Sequence, residues 1–600
     1  QSGVADPRGV HYQRRTWEVP RSGNNKVATT RASVALEGNF DWGDRILYWD
    51  AGYLFNRLRT DKTGTGDMNL RNLQLASGPS YFNPATGRAE CGSAAAPVAY
   101  GSGAGQCVPW NPLAPYGSGL PGTLDDPALR AFLVPDNLDR GETETRSLTA
   151  NLTGGLFELP AGELSFAAGV ESRSESGTFT PSLQKQRGET TTTRKLPTRG
   201  DYRANEVYVE LNIPLLQDKP FARTLALNVA GRYSDYDVFG STTNSKVGLE
   251  WRPSDELMLR ATWGEGFRAP TIADLFGGEQ DFFPVYTDPC DSRYGVARTS
   301  PACLADVPPG YRQIAAGGVP SGGPNVQPNL PFISGSNPDT QPETSETTTV
   351  GFVYSPSWAD GLGITLDWWK IDIQNAIVQN TPTEILNDCY VRGIAGACSA
   401  FTRDPASGEI TTLNYAITNA GWLKTAGYDL GVRYRLPALA LGQLKLEWNT
   451  SYVSYRNIKA NDLAETPVNH TTSFGANFRT RSNLNLDWSK GVVGATWRVR
   501  YFSGIKEPCA FDLTGGPECD QPGFVSPYTG RQPLRTVGST VFNDFQFRVD
   551  LPWNATALLG ANNVLGKVGP TLYSRPSSDF AYYGGFDFGR FVYMQYQQKF

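Results

Sequence analysis

Histidine and methionine are nearly missing: 600 residues hold two histidines, His11 and His470, and three methionines. Haem or a simple metal ion is held through His, Met or Cys side chains, so the chain has little to offer either, and no metal or other cofactor is expected. No apolar run approaches the roughly 18–20 residues of a spanning helix, and the mean hydropathy of −0.37 excludes a bundle of such helices. The G-x-S-x-G of a hydrolase, the GxxxxGK of a phosphate loop and the HExxH of a metalloprotease do not occur. With carboxylates as scattered as Asp372 and Glu384, that argues against an enzyme. A net charge of −5 and a pI near 5.5 leave no electrostatic footprint for nucleic acid. Neither a charged linker nor a βαβ rhythm divides the chain, so residues 1–600 read as a single domain. Opening at Gln1 with neither Met nor signal peptide, it reads as processed or partial.

Eight cysteines are present, in four neighbouring pairs: Cys91 and Cys107, Cys290 and Cys303, Cys389 and Cys398, Cys509 and Cys519. Each pair lies in a Gly/Pro-rich segment, with no CxxC and no His close by, which favours loop-closing disulfides over zinc. Disulfides place the chain in an oxidising compartment such as the periplasm or cell surface.

Hydrophobicity alternates with a period of two almost throughout. In "KVATTRASVALEGNF" Ala28, Ala32, Val34 and Leu36 share one face and Arg31, Ser33 and Glu37 the other. In "NEVYVELNI" the apolar face is Val207, Val209, Leu211 and Ile213. Such alternation predicts strands with one greasy and one wet face, and these run to about ten residues or more, beyond the five or six usual in soluble sheets.

Their connections alternate in length. Short turns fall at "NFDWGDR", "ELPAGE", "PLLQDKPF", "WRPSDEL", "SPSWADG", "LPALALGQ", "WSKGV" and "LPWNA"; long segments fall near 65–141, 181–200, 271–339, 378–409, 503–537 and 565–585. Short turns at one rim and long loops at the other are the mark of an outer-membrane barrel, because only a closed sheet leaves no unpaired backbone in lipid. The sequence therefore predicts an all-β, transmembrane antiparallel β-barrel in the outer membrane of a Gram-negative bacterium, in contact with its lipid, with long extracellular loops and about 18 strands in view, the first at 11–18 and the last at 586–600. Arg31, Arg232, Lys246, Glu250 and Arg260 are expected on the lumen side.

"GEGFRAPTIADLF" at 264–276 resembles the mid-barrel signature of TonB-dependent outer-membrane receptors, and "NPDTQPETSETTTVGFVYSP" at 337–356 resembles the stretch that follows one extracellular loop later. "LDWWKIDIQNAI" at 366–377 and the aromatic C-terminus match in order. The motifs cover about 255 to 600; "LRNLQLASGPSYFNP", "CVPWNPLAP" and "YTDPC" resemble one proteobacterial branch of the family. The resemblance implies a 22-strand barrel around a plug, with an N-terminal segment, the TonB box, that engages the inner-membrane TonB complex. Neither plug nor TonB box precedes the first strand, so an N-terminally incomplete receptor is expected.

The resemblance implies active transport of a scarce hydrophilic ligand captured at the extracellular loops. Trp110, Tyr116, Phe282, Phe283 and Tyr286 are the candidate ligand-binding aromatics, with Arg260 and Arg268 from the mid-barrel signature. Aromatic faces stack on sugar rings, which favours a carbohydrate or glycan-derived oligosaccharide. The alternatives are a ferric siderophore, which receptors of this kind bind through aromatic and Arg side chains, and a passive porin-like barrel. A surface or periplasmic accessory protein is a further possible partner.

Overall fold

The computed structural model describes residues 16, 18–115, 117–120, 122–459, 468–469, 477–506, 536–567 and 589–599. Eighteen strands form one sheet. In chain order they are β1 (Ser22–Trp42), β2 (Arg45–Thr65), β3 (Asn137–Leu159), β4 (Gly162–Thr180), β5 (Thr198–Lys219), β6 (Ala222–Tyr236), β7 (Gly240–Arg252), β8 (Leu257–Arg268) and β9 (Glu343–Tyr354). They continue as β10 (Leu362–Gln374), β11 (Trp422–Arg435), β12 (Gln443–Lys459), β13 (Val468–Asn469), β14 (Thr480–Lys490), β15 (Val493–Phe502), β16 (Thr540–Leu551), β17 (Ala555–Asn562) and β18 (Phe591–Gln598). Each pairs antiparallel with its successor, save that β12 takes both the two-residue β13 and β14 as neighbours. Most of the strand predicted at 11–18, and Phe600, lie outside the described residues.

Register keeps the two faces apart. Leu259, Phe352, Leu366 and Leu430 stand opposite one another across β8 to β11. One step along the strands, Arg260, Gly351, Asp367 and Asp429 form the adjacent row on the other face. The greasy row carries side chains that lipid would cover, and Val34, Leu36, Tyr53, Leu148, Val207 and Leu559, large exposed apolar residues of the sheet, share its face. Strands β1 to β5 run 19 to 23 residues, about twice the 9–11 tilted residues that cross a bilayer, so each continues past the lipid.

All eight short turns fall where the alternation predicts, on one end of the sheet. One of the tightest joins β1 to β2 through Gly43 and Asp44, with Trp42 directly opposite Arg45; Gly43 has φ of 64°, a conformation that favours glycine in a two-residue hairpin. The other end holds the long connections 66–136, 181–197, 269–342 and 375–421. It also holds two that the sequence reading passed over: the span between β12 and β14, and a tight one from Tyr236 to Gly240 joining β6 to β7.

Candidate ligand-capture site

The long connections fold into small cores of their own. In 66–136, the helices Leu70–Ala76 and Pro127–Leu133 are started by Asn69 and Asp126, whose side chains accept the backbone N–H of Asn72 and Ala128 at 2.9 and 2.8 Å. They bury Leu124, Leu129, Phe132 and Leu133 together with the Cys91–Cys107 disulfide. Trp110 packs half-buried against this core, and its backbone N–H donates to Ala76 O at 2.9 Å.

A larger core joins two separate connections. Tyr286, Tyr311 and Phe332 from 269–342 pack with Ile385, Leu386, Tyr390, Ile410 and Leu413 from 375–421, closed by the Cys290–Cys303 and Cys389–Cys398 disulfides. At its centre the Arg403 guanidinium donates to both Asp288 oxygens, at 2.7 and 2.8 Å, with the side chains 5% and 0% exposed. Tyr311 Oη donates to Asp288 Oδ2 at 2.9 Å, Arg403 Nε donates to Tyr390 Oη at 2.8 Å, and that hydroxyl donates to Asp306 Oδ2 at 2.9 Å. Burial by itself would lower the Arg403 pKa, but the Asp288 carboxylate outweighs it and raises it. Burial pushes Tyr390 up to about 12, against the pull of Arg403, and raises Tyr286 and Tyr311, with Asp288 adding to both. Each charge of the pair has its counter-charge and hydrogen bonds in place, which is what a buried ion pair needs.

The connections are stitched in series. Leu70 N donates to Glu189 O and Thr191 N to Met68 O, so 181–197 lies against 66–136; Leu196 N donates to Glu279 O and Asp281 N to Arg194 O, tying it to 269–342. Arg194 adds an ion pair to Asp281 at 3.0 Å. The run after β8 enters this crown through a capped turn. Pro270 ends the ladder, Thr271 and Asp274 cap each other's backbone N–H, and helix Ile272–Phe276 follows. Ile272 lies over Gly177 and Phe276 over Gly200, where a Cβ would meet their side chains.

Residues 4–564 match the family model for the TonB-dependent receptor-like β-barrel. The chain belongs to that family. It is a family of transporters, and this receptor is a protein of the Gram-negative outer membrane. No curated protein sequence matches it. Among solved structures it is similar to the siderophore receptor PirA from Acinetobacter baumannii, at 12% identity and TM-score 0.48 over 95% of this chain and 71% of that one. It is also similar to a mutant ferric enterobactin receptor, PfeA, from Pseudomonas aeruginosa in complex with enterobactin, at 14% identity and TM-score 0.49 over 97% and 71%. For the ferric-catecholate import receptor Fiu from E. coli the values are 11% and 0.47 over 97% and 64%.

In this receptor the residues singled out from sequence occupy four different settings. Phe282 and Phe283 are exposed, at 38% and 41%, at the end of the short strand Gln280–Phe282 that pairs with Phe332–Ser334. Tyr286, four residues beyond Phe282, is 2% exposed and meets the Phe332 ring edge-on at 5.1 Å, so it builds the loop core. Trp110 belongs to the separate core of 66–136, and Tyr116 lies outside the described residues. Arg260 and Arg268 face the polar side of the wall, where Arg260 forks onto Asp367 at 2.8 and 2.6 Å and Arg268 reaches Glu343 at 3.0 Å. Arg260 reaches across Gly351, at which an added Cβ would lie 2.1 Å from Asp367 Oδ1. Arg232 pairs with Glu171 at 3.1 Å and with Glu206, and Lys246 with Glu210 at 3.5 Å. Cys509 and Cys519 lie outside the described residues.

Sequence reading missed Asp288, Arg403, Tyr311 and Tyr390, which hold the crown together. Their one signal was proximity to cysteines: Asp288 is two residues before Cys290, and Tyr390 follows Cys389.

Proposed function

We propose that this receptor captures a ferric siderophore at its extracellular crown and passes it through the barrel when a plug is moved by the inner-membrane TonB complex. The exposed Phe282 and Phe283 carry this reading. They present bare rings with no hydroxyl, above a core stiffened by two disulfides and the Asp288–Arg403 pair. Of the aromatics first read as sugar platforms, Tyr286 is inside that core and Trp110 packs against another, which leaves fewer amphipathic rings for stacking on polar sugar faces. Apolar rings on a rigid base suit the aromatic or apolar arms of a chelator, whose metal is already enclosed and needs no protein ligand.

Binding tests it. The purified receptor is titrated with ferric chelates and with oligosaccharides, following thermal stability. Stabilisation by a ferric chelate, weakened in Phe282→Ala/Phe283→Ala, supports the reading. Stabilisation by oligosaccharides alone restores the carbohydrate reading.

A further inference from the structure

The polar face of the sheet carries charge unevenly at its short-turn end. There the turn before β2, with β2, β4 and β5, lines a concavity of about 650 Å³ with Asp44, Glu163 and Glu210 against a single cation, Arg45. Across β12 to β16 the same end is lined instead by Lys445 and Arg548, around a cavity of about 240 Å³.

Register builds this second cavity. Lys445, Asp487, Thr496 and Gln546 stand opposite one another on β12, β14, β15 and β16, and Ser489, Gly494 and Arg548 form the row beside the turns. Asp487, the carboxylate in the lining, already accepts Thr496 Oγ1 at 2.6 Å. Gly494 leaves the floor open: a Cβ there would come within 3.3 Å of Arg548 Nη2. Lys445 and Arg548 are both exposed to the lumen side, and Arg548 makes a long ion pair of 3.7 Å with the half-exposed Asp550. Above them, Arg498 donates to Asn485 at 2.9 Å and Arg500 pairs with Asp544 at 3.0 Å, so cations climb the wall from the cavity.

We propose that this cavity is an anion site, taking a carboxylate-bearing ligand at the periplasmic end of the lumen. Lys445 and Arg548 converge from two strands, with Ser489, Thr496 and Gln546 as hydrogen-bond partners. Low-dielectric walls focus the field of the two cations on the space between them, and a charge-assisted fork from Arg548 would fix a carboxylate's orientation. Lying beside the turns, the site gives an anionic chelate a step down from the crown toward the periplasm, and in that use it rests on the siderophore reading.

Calorimetric titration of the purified receptor with citrate, as a carboxylate probe, tests the site. Saturable binding is expected, weakened about tenfold or more in Lys445→Gln/Arg548→Gln, retained in Lys445→Arg/Arg548→Lys, and unchanged in Glu163→Gln. Citrate affinity that is equal in the Gln double variant and the native receptor, with both folded by circular dichroism, overturns the site, as does loss of binding in Glu163→Gln to the same degree. Ferric-chelate binding at the crown is measured separately on intact cells with the Gln double variant and is expected to stay unchanged. Citrate binding without any ferric-chelate binding would sink the siderophore reading and leave the site standing.

Discussion

Asp288 and Arg403, 115 residues apart, form a buried two-pronged ion pair that binds two extracellular connections into one body. Cutting one partner leaves the other charged in a site from which water is excluded. Arg403→Ala should therefore destabilise the crown by about 3–5 kcal/mol, read as faster amide exchange in 286–332 and 385–415 while the sheet keeps its protection. Replacing both residues by apolar ones of similar size should cost less. Exchange that is unchanged in Arg403→Ala would mean that the disulfides hold the crown alone.

The Arg260–Asp367 fork passes over Gly351, which is why that position in β9 carries no side chain. Gly351→Val should break the fork and leave two charges mispaired on the wall, slowing assembly of the barrel. The check is heat-modifiable migration in gels, where the variant should show a smaller folded fraction. Equal folded fractions would show that the fork is dispensable.

The facing of the sheet is tested by a pair of substitutions three residues apart. Leu259 belongs to the greasy row and Thr262 to the polar face. Leu259→Arg should cost about 2–4 kcal/mol in bilayer refolding, the price of a cation in the lipid interior, whereas Thr262→Arg should be tolerated. Equal penalties would reverse or void the assignment of faces.

Alkali should loosen the crown before the wall. Tyr390 ionises in the unfolded chain near its ordinary 10.0 but only at about 12 when folded. Its contribution is thus intact below pH 10 and lost as the pH rises through about 12, and Tyr415, raised to about 12 by burial, adds to it. Tyrosinate absorbance should show a late fraction that shrinks in Tyr390→Phe. A variant curve that overlays the native one contradicts the assignment.

Most of the sheet was legible in the sequence because a strand between lipid and water must alternate, and the alternation names both faces: Leu257, Leu259, Ala261 and Trp263 on one side, Arg260 and Thr262 on the other. The turns were legible for a related reason, since Gly43 and its equivalents interrupt the alternation within a few residues. The crown was not, because irregular segments have no period to say which side is buried. Phe282 and Tyr286 belong to one aromatic run, yet one ring is on the surface and the other in the core. What separates them is Phe332, supplied from 46 positions further along than Tyr286 and brought back by the Gln280–Phe282 pairing. The Asp288–Arg403 pair joins different loops and leaves no local trace beyond the nearness of Asp288 to Cys290, so the aromatics were first credited to a sugar site that the folded crown only partly offers.

The central claim, that the receptor captures and moves a ferric chelate, is tested most directly by accumulation of radiolabelled iron, supplied as a ferric siderophore, in cells with and without the receptor and with and without TonB. Accumulation that requires both, and that falls in Phe282→Ala/Phe283→Ala while surface levels of receptor hold, is the predicted result. Accumulation independent of TonB, or uptake of oligosaccharide with none of iron, would contradict it.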